Sequence, residues 1–345
     1  MSYRERNAMV LDAGNEVSEK SSFRTFTENE GLMFEILVDS AANLPADVVE
    51  KYGIHVLVFM NLVDGREVPG FIPGLTQEEE RAMGKEYYDS IRAGASVKTS
   101  LINSGEFQDY FEPFLKEGKD ILYISLSSNI SGTYNAARIA AEELREEYPE
   151  RQICLIDSLN ASLAQGILAI YAYEFREKGH PLSEIADVLA ETAHSMNGVF
   201  TVDNLKYLSR TGRLHAGVAL AGNLLRVKPI LCGNKEGFIV QHSLKRGRKQ
   251  SLNELIDLVC NNIVEPEKQI IGIAHADAYE DSLYVMKGIT DRVHVREFIN
   301  TSYDFCTGSH VGPETIALFF IGYDRELQGR LVNEKLKEKR IFDWL

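Results

Sequence analysis

The sequence is poor in cysteine, and its cysteines are far apart. Among 345 residues there are only Cys154, Cys232, Cys260 and Cys306, and no two of them form a CxxC pair. Such scattered positions favour neither a disulfide framework nor a zinc site. The patterns HExxH and HxH are missing too, and no Asp/Glu-rich cluster stands out, so we expect no bound metal ion.

Long apolar segments are also missing. No apolar run reaches the length of about 18 residues that a membrane span requires. Residues 1–33 carry mixed charges without an apolar core segment, so we interpret them as an extension rather than a secretory signal and expect a cytoplasmic protein. The formal net charge of −14 argues against general nucleic-acid binding.

The first half of the chain alternates between strand-like and helix-like segments. Short apolar runs stand at 34–38, 54–59, 121–126 and 153–156, and helical patterns separate them. This alternation indicates βαβ units and a mostly parallel sheet.

The pattern changes after Gly179-His180-Pro181. We predict a hairpin over 230–244 that turns at 233–237, followed by strands at 270–274 and 293–300. The chain is therefore predicted to be an α/β protein with two α/β domains, 34–180 and 181–345.

Hydroxyl side chains are concentrated where the predicted strands of the first half end. Ligands of α/β sheets bind at the carboxyl ends of the strands, and the backbone N–H groups of a helix start favour anions. Serine or threonine at such a position also serves simply as a helix cap, but four hydroxyls among residues 127–133 exceed what one cap needs. The predicted carboxylate or phosphate site comprises Thr99, Ser100, Ser127, Ser128, Ser131, Gly132 and Thr133.

Two histidines are candidates to join this site. His275 follows the apolar strand 270–274, and His310 lies in Gly308-Ser309-His310-Val311-Gly312-Pro313, which we place at the entry to the last helix. Either one could hydrogen-bond a bound carboxylate, and a structural or surface role is the alternative for each. We assign no catalytic residue, because the nucleophile pattern GxSxG is absent from the serine-rich turn.

Positive charge is concentrated in one segment. Residues 201–250 contain ten Lys and Arg but only two acidic residues, Asp203 and Glu236. This imbalance suggests a face for an acidic or phosphate-bearing partner, whereas acidic helices of the same protein could also balance it. The predicted partner face comprises Lys206, Arg210, Arg213, Lys245, Arg246 and Arg248.

Several short motifs, in this order and spacing, resemble the DegV family of fatty-acid-binding subunits of bacterial fatty acid kinases. They extend from about Phe34 to Tyr323. The matching segments are Val38-Asp39-Ser40, Lys98-Thr99-Ser100, Leu126-Ser127-Ser128-Asn129-Ile130-Ser131-Gly132-Thr133, Ile156-Asp157-Ser158, Leu205 to Gly212-Arg213, Lys228-Pro229 and Ser309-His310-Val311-Gly312-Pro313.

The resemblance implies an acyl chain held in a tunnel at or near the contact of the two domains. It implies that the hydroxyl loops and a histidine of the second domain meet the carboxylate, and that a separate kinase phosphorylates it for lipid synthesis. No cofactor is expected, and the Walker A pattern GxxxxGK[ST] is indeed absent. The sequence departs from the family at Leu101-Ile102, where Gln-Pro is usual, and at Glu314, where Gly is usual.

Two other functions remain open at this point. One is a phosphotransferase subunit that acts on a small hydroxy-ketone, and the other is an acyl hydrolase that uses Ser128 or Ser131 as nucleophile.

For the fatty-acid hypothesis, the burial of each CH₂ group of the acyl chain contributes about 0.8 kcal/mol, so a dry tunnel alone would suffice for tight lipid binding.

Overall fold

A computed structural model describes residues 34–214, 227–323, 325, 327 and 340–345. The predicted N-terminal extension, residues 1–33, lies outside the described residues. The strands are β1 Phe34–Asp39, β2 His55–Leu57, β3 Met60–Val63, β4 Arg66–Pro69, β5 Val97–Thr99, β6 Asp120–Ser125, β7 Ile153–Asp157, β8 Met196–Thr201, β9 Val227–Gly233, β10 Ile239–Arg246, β11 Ile270–His275, β12 Glu297–Ser302 and β13 Ile316–Ile321.

Helices connect most of these strands, with short 3₁₀ turns at Ser40–Ala42 and Pro266–Lys268. The α-helices are α1 Ala46–Tyr52, α2 Gln77–Ala93, α3 Ser104–Lys116, α4 Thr133–Glu147, α5 Leu163–Glu177, α6 Leu182–Ala193, α7 Lys206–Arg210, α8 Arg248–Asn262, α9 Tyr279–Thr290, α10 Phe305–Val311 and α11 Arg340–Trp344.

The strands form three sheets. The first sheet has the order β2-β1-β6-β7 and is parallel throughout, as predicted. The second has the order β10-β9-β8-β13-β11-β12, and within it β11 and β12 run parallel while the other neighbours are antiparallel. A small antiparallel sheet, β4-β3-β5, carries Thr99 at its edge. The predicted α/β fold class is confirmed.

Helix α5 joins the two larger sheets. Eleven of its residues are buried, and one apolar cluster runs from Ile36 of β1 through Ile167 of α5 to Phe319 of β13. The backbones approach closely here: a Cβ on Gly166 would stand 2.7 Å from the Leu44 side chain, which excludes a larger residue. The predicted domain boundary near residue 180 falls between α5 and α6, and the division into domains remains a prediction.

The structure corrects three local predictions. The strand expected over 54–59 is shorter, because the chain turns into β3 at Met60, and the strand expected from 293 begins at Glu297. His310 lies in the last turn of α10, and no helix follows it directly. The six residues Ile316–Ile321 are too few for a typical helix, are buried along their whole length and pair on both sides as a central strand.

Candidate functional site

A cavity of about 270 Å³ lies between the first sheet, the second sheet and helix α10. The segments that follow β1, β6 and β7 form one side, and β8 with the β9–β10 hairpin forms another. It therefore lies at the carboxyl ends of the parallel strands, where α/β sheets place their ligands. Most of the wall is apolar, and its apolar side chains include Phe59, Leu126, Ile130, Phe200, Ile239 and Phe319.

One rim of the cavity is polar. Thr99, at the end of β5, places its Oγ1 3.3 Å from Nε2 of His310 on α10, and both residues line the cavity. Among the described residues, Nδ1 of His310 has no hydrogen-bond partner. Burial lowers the pKa of His310 to about 4, and the cations Arg213 and Arg210 act in the same direction. The imidazole is therefore neutral near pH 7 and has one donor and one acceptor nitrogen.

The serine-rich loop before α4 adds to this rim. Ser131 and Gly132 line the cavity, together with Ser100 from the end of the small sheet. Ser131 Oγ lies 2.8 Å from Thr133 Oγ1 and accepts a hydrogen bond from the Thr133 N–H. The N-cap of α4 is Gly132, which has no side chain, so the N–H groups of the first turn other than that of Thr133 receive no side-chain cap.

Comparison with known proteins identifies the family. The model for uncharacterised proteins of the DegV family matches residues 33–322. The chain belongs to the DegV family.

One relative by sequence and two solved structures illustrate the similarity. A DegV domain-containing protein from Clostridium perfringens is 36% identical over 293 residues, covering 85% of this chain and 99% of the relative. A DegV lipid-binding protein from Thermotoga maritima is 28% identical with a TM-score of 0.72, over 85% of this chain and 99% of that one. DegV of Bacillus subtilis, a fatty-acid-binding protein, is 26% identical with a TM-score of 0.69, over 84% and 99% of the two chains.

The other predicted site residues of this DegV protein lie away from the cavity surface. Ser127 is buried and donates its hydroxyl to the carbonyl of Gly237, which ties the serine loop to the β9–β10 hairpin. Ser128 is exposed and its N–H faces Asp157, while Thr133 is buried behind Ser131. These three residues shape the rim and are not among the residues that line the cavity.

His275 is separated from the rim. It ends β11, contacts the ring of Tyr279 and accepts a long hydrogen bond from the Ala278 N–H. Burial lowers its pKa to about 4 as well. His275 does not line the cavity, so its predicted contact with the carboxylate has no support from this geometry.

The predicted partner face divides into two groups. Lys245 and Arg248 form ion pairs with Glu254 and Asp281 of the same chain. For these two residues, acidic groups of the same protein balance the positive charge, which was the alternative to a partner. Lys206 and Arg210 are exposed on α7 beside the cavity, and Arg246 is exposed on β10. Arg213 lines the cavity itself, a position that the sequence did not indicate.

Four polar residues of the wall were not predicted from the sequence. Asn160 and Ser162 lie in the segment between β7 and α5, Tyr303 precedes α10, and Thr307 lies within α10. Asp157-Ser158 marks the end of β7, so the strand-end rule applied to the next residues would have found Asn160 and Ser162. No sequence signal indicates Tyr303.

Within residues 34–214 and 227–323 and the few described beyond them, no group of three or more His, Cys, Asp and Glu side chains is arranged to hold a metal ion. In that same part of the chain, no helix combines the length and the apolar character needed to cross a bilayer.

Proposed function

We propose that this protein binds a long-chain fatty acid, with the carboxylate at the rim formed by Thr99, Ser131 and His310 and the chain in the apolar cavity. The single observation that carries the proposal is the joining of an apolar cavity to one polar rim. Two proteins of the same fold support it, the lipid-binding DegV protein of Thermotoga maritima and the fatty-acid-binding DegV of Bacillus subtilis.

The energetics of such a ligand suit this site. Burial of a saturated chain contributes about 0.8 kcal/mol per CH₂ group, or roughly 10 kcal/mol for a sixteen-carbon acid before ordering costs. A buried carboxylate without hydrogen bonds would be costly, so its oxygens need donors. The Thr99 and Ser131 hydroxyls, N–H groups of α4 and one nitrogen of His310 supply them.

Mass spectrometry of an organic extract of the purified protein tests this proposal. We expect a stoichiometric fatty acid, and we expect the delipidated protein to take up added acid. Thr99→Val keeps the side-chain shape and should weaken binding about tenfold to a hundredfold, since a hydrogen bond to a charged group is worth about 1.5–3 kcal/mol. Thr290→Val is the matched control, because the hydroxyl of this exposed residue bonds only within α9. No extracted acid and no uptake would refute the proposal.

We further propose that a separate kinase phosphorylates the bound carboxylate to an acyl phosphate, which makes this chain the substrate-carrying subunit of a cytoplasmic fatty acid kinase. Lys206 and Arg210 support this step, because these exposed cations stand beside the cavity on α7, where a phosphate-bearing partner would approach. The family resemblance of the sequence points to the same partner.

The two rival functions find less support in the geometry. A serine hydrolase needs a base beside its nucleophile, whereas the hydroxyl of Ser131 pairs with Thr133 and the exposed Ser128 presents its N–H to Asp157. A small hydroxy-ketone would need a small polar pocket, and this cavity has mostly apolar walls. Turnover of a p-nitrophenyl ester that Ser131→Ala abolishes would favour the hydrolase instead.

A further inference from the structure

A pair of buried hydroxyls lies in the cavity wall away from the rim. Ser162 is only 1% exposed and lines the cavity, and among the described residues its Oγ has no hydrogen-bond partner of good geometry. Tyr303 is 4% exposed and lines the same cavity. Burial raises the pKa of the Tyr303 phenol, and the Ser162 hydroxyl next to it acts in the opposite direction. Both groups are therefore neutral near pH 7 and both can donate or accept a hydrogen bond.

The backbone holds Ser162 in an uncommon conformation. Its φ of 59° and ψ of −145° are unfavourable for a residue with a side chain. The Ser162 N–H donates to the carbonyl of Ala41 at 2.8 Å, and the Ser162 carbonyl accepts from the N–H groups of Gln165 and Gly166. These bonds fix the strained residue between β7 and α5, so that its side chain stands at the cavity wall.

Tyr303 and His310 lie at opposite ends of α10. Tyr303 precedes the helix, whereas His310 occupies its last turn. With a rise of about 1.5 Å per residue within the helix and a longer rise in the extended residues before it, the Cα atoms of Tyr303 and His310 are on the order of 10 Å apart. A fatty acid whose carboxylate meets His310 would thus pass Ser162 and Tyr303 near the middle of its chain.

An unsubstituted chain offers no hydrogen bond to the Ser162 hydroxyl. Water can bond to Ser162 while the cavity is empty, but a chain that fills the cavity displaces it. A buried polar group left without a partner costs about 1–3 kcal/mol. A hydroxyl or keto group on the passing chain would restore the lost hydrogen bond.

We infer that the protein prefers long-chain acids that carry a hydroxyl or keto group near mid-chain, and that Ser162, together with Tyr303, determines this preference. The inference rests on the proposed fatty-acid binding and narrows its substrate class.

Competition binding with three acids of equal length tests it: stearic acid, a hydroxystearic acid substituted near mid-chain, and a β-hydroxy acid. We expect the wild-type protein to bind the mid-chain hydroxy acid about tenfold more tightly than stearic acid, as one hydrogen bond and one satisfied hydroxyl predict. The β-hydroxy acid should gain nothing, because its hydroxyl stays at the rim. Ser162→Ala keeps the backbone strain equal and should abolish the preference, and Tyr303→Phe should reduce it.

Thr290→Val again serves as the control, and thermal melting checks that each variant is folded. Equal affinity of the wild type for all three acids, or a preference unchanged in Ser162→Ala, would overturn the inference while fatty-acid binding stands. Failure of the wild-type protein to bind any of the acids would overturn both the inference and the proposed function. If Ser162→Ala failed to fold, Tyr303→Phe alone would decide between the outcomes.

Discussion

Helix α10 carries a half-buried ionisable residue near each end, and their pKa values are displaced in opposite directions. Asp304, the N-cap, accepts hydrogen bonds from the Cys306 and Thr307 N–H groups, yet burial raises its pKa to about 7. Burial lowers the pKa of His310, in the last turn, to about 4. Burial thus favours the neutral form of both side chains. The helix dipole alone would favour a negative charge on Asp304 at the N-terminus and a positive charge on His310 at the C-terminus.

The two ends differ in what their polar atoms contact. Asp304 uses one carboxyl oxygen as a helix cap, and its N–H donates to Asn43, which also bonds the Ser302 carbonyl. This end therefore fastens the second sheet to the first. His310 instead contacts Thr99 at the cavity rim and keeps Nδ1 unpaired among the described residues. The Asp304 end thus has a structural role, and the His310 end is the one that the proposed function assigns to the ligand.

The largest effect is expected for Asp304→Asn. The pKa of Asp304 is about 7 in the folded protein and 3.8 in the unfolded chain. The protonated carboxyl therefore stabilises the fold fully below pH 3.8, and this stability is lost as the pH rises through about 7. Asparagine keeps the capping oxygen without the charge, so at about pH 9 the variant should be more stable by up to about 4 kcal/mol, and near pH 4 the two should be equal. Urea unfolding over this pH range measures the difference.

The control is Asp304→Ala, which loses the cap as well and should cost about 1 kcal/mol near pH 4. Parallel stability curves for the wild type and Asp304→Asn would contradict a buried, proton-binding carboxyl at this end of α10.

A smaller effect is expected just beyond the His310 end, at Gly312. Its φ is +82°, and a Cβ there would stand 2.2 Å from the Tyr207 ring of α7. Gly312→Ala combines this overlap with backbone strain and should cost about 3 kcal/mol. Gly53→Ala at the end of α1 is the matched control, because φ is also positive there but space is open, and about 1 kcal/mol is expected. If chemical denaturation gave equal losses of unfolding free energy for the two variants, the Tyr207 side chain would have moved aside to make room for the new Cβ.

Substitution of His310 should change binding more than folding. His310→Leu preserves burial but removes the hydrogen bond to the ligand, and we expect fatty-acid affinity to fall about tenfold or more. His310→Gln retains a donor and should recover part of the loss. Displacement of a fluorescent fatty acid gives both values.

The pH dependence of binding sharpens the same comparison. Because the pKa of His310 is lowered to about 4, its imidazole should stay neutral between about pH 6 and pH 8. Wild-type affinity should then be nearly the same at both values once fatty-acid solubility is matched. A clear gain in affinity near pH 6 that His310→Leu abolishes would mean that the protonated ring binds the carboxylate.

The sequence predicted the elements better than it predicted which of them meet. Strand–helix alternation gave the parallel sheet, and the β9–β10 hairpin was placed correctly because Gly233 and Gly237 mark its turn. Thr99 and His310 are 211 positions apart, and the sequence made both of them candidates for one carboxylate site but gave His275 the same standing. Both His275 and His310 follow or precede apolar strands, so local pattern alone did not separate the one at the rim from the one beside Tyr279.

The wall residues show a second limit. Ser162 stands in an ordinary sequence, Asn160-Ala161-Ser162-Leu163, without the glycines that usually mark a strained turn. Its positive φ is held by a hydrogen bond from its N–H to the carbonyl of Ala41, a residue 121 positions away in the chain that the parallel sheet brings alongside. Tertiary contacts of this kind override local preference, so no rule based on neighbours in sequence predicts them.

The smallest effect on fatty-acid affinity is expected for Arg210→Glu. Arg210 is exposed on α7, near enough to the His310 end of α10 to act on the pKa of that histidine, but it does not line the cavity. The variant should bind fatty acid within a factor of about two of the wild type, because an exposed charge contributes less than about 1 kcal/mol. Formation of acyl phosphate by an added fatty acid kinase catalytic subunit should nevertheless fall several-fold at limiting kinase, and more at low salt, where electrostatic steering is strongest. Lys249→Glu is the control, because it reverses the charge of an exposed lysine at the start of α8. It changes the net charge equally and should leave turnover unaltered. If both charge reversals reduced turnover alike, net charge rather than the α7 surface would account for the effect. The proposal that α7 forms a kinase-facing surface distinct from the fatty-acid-binding rim would then be wrong.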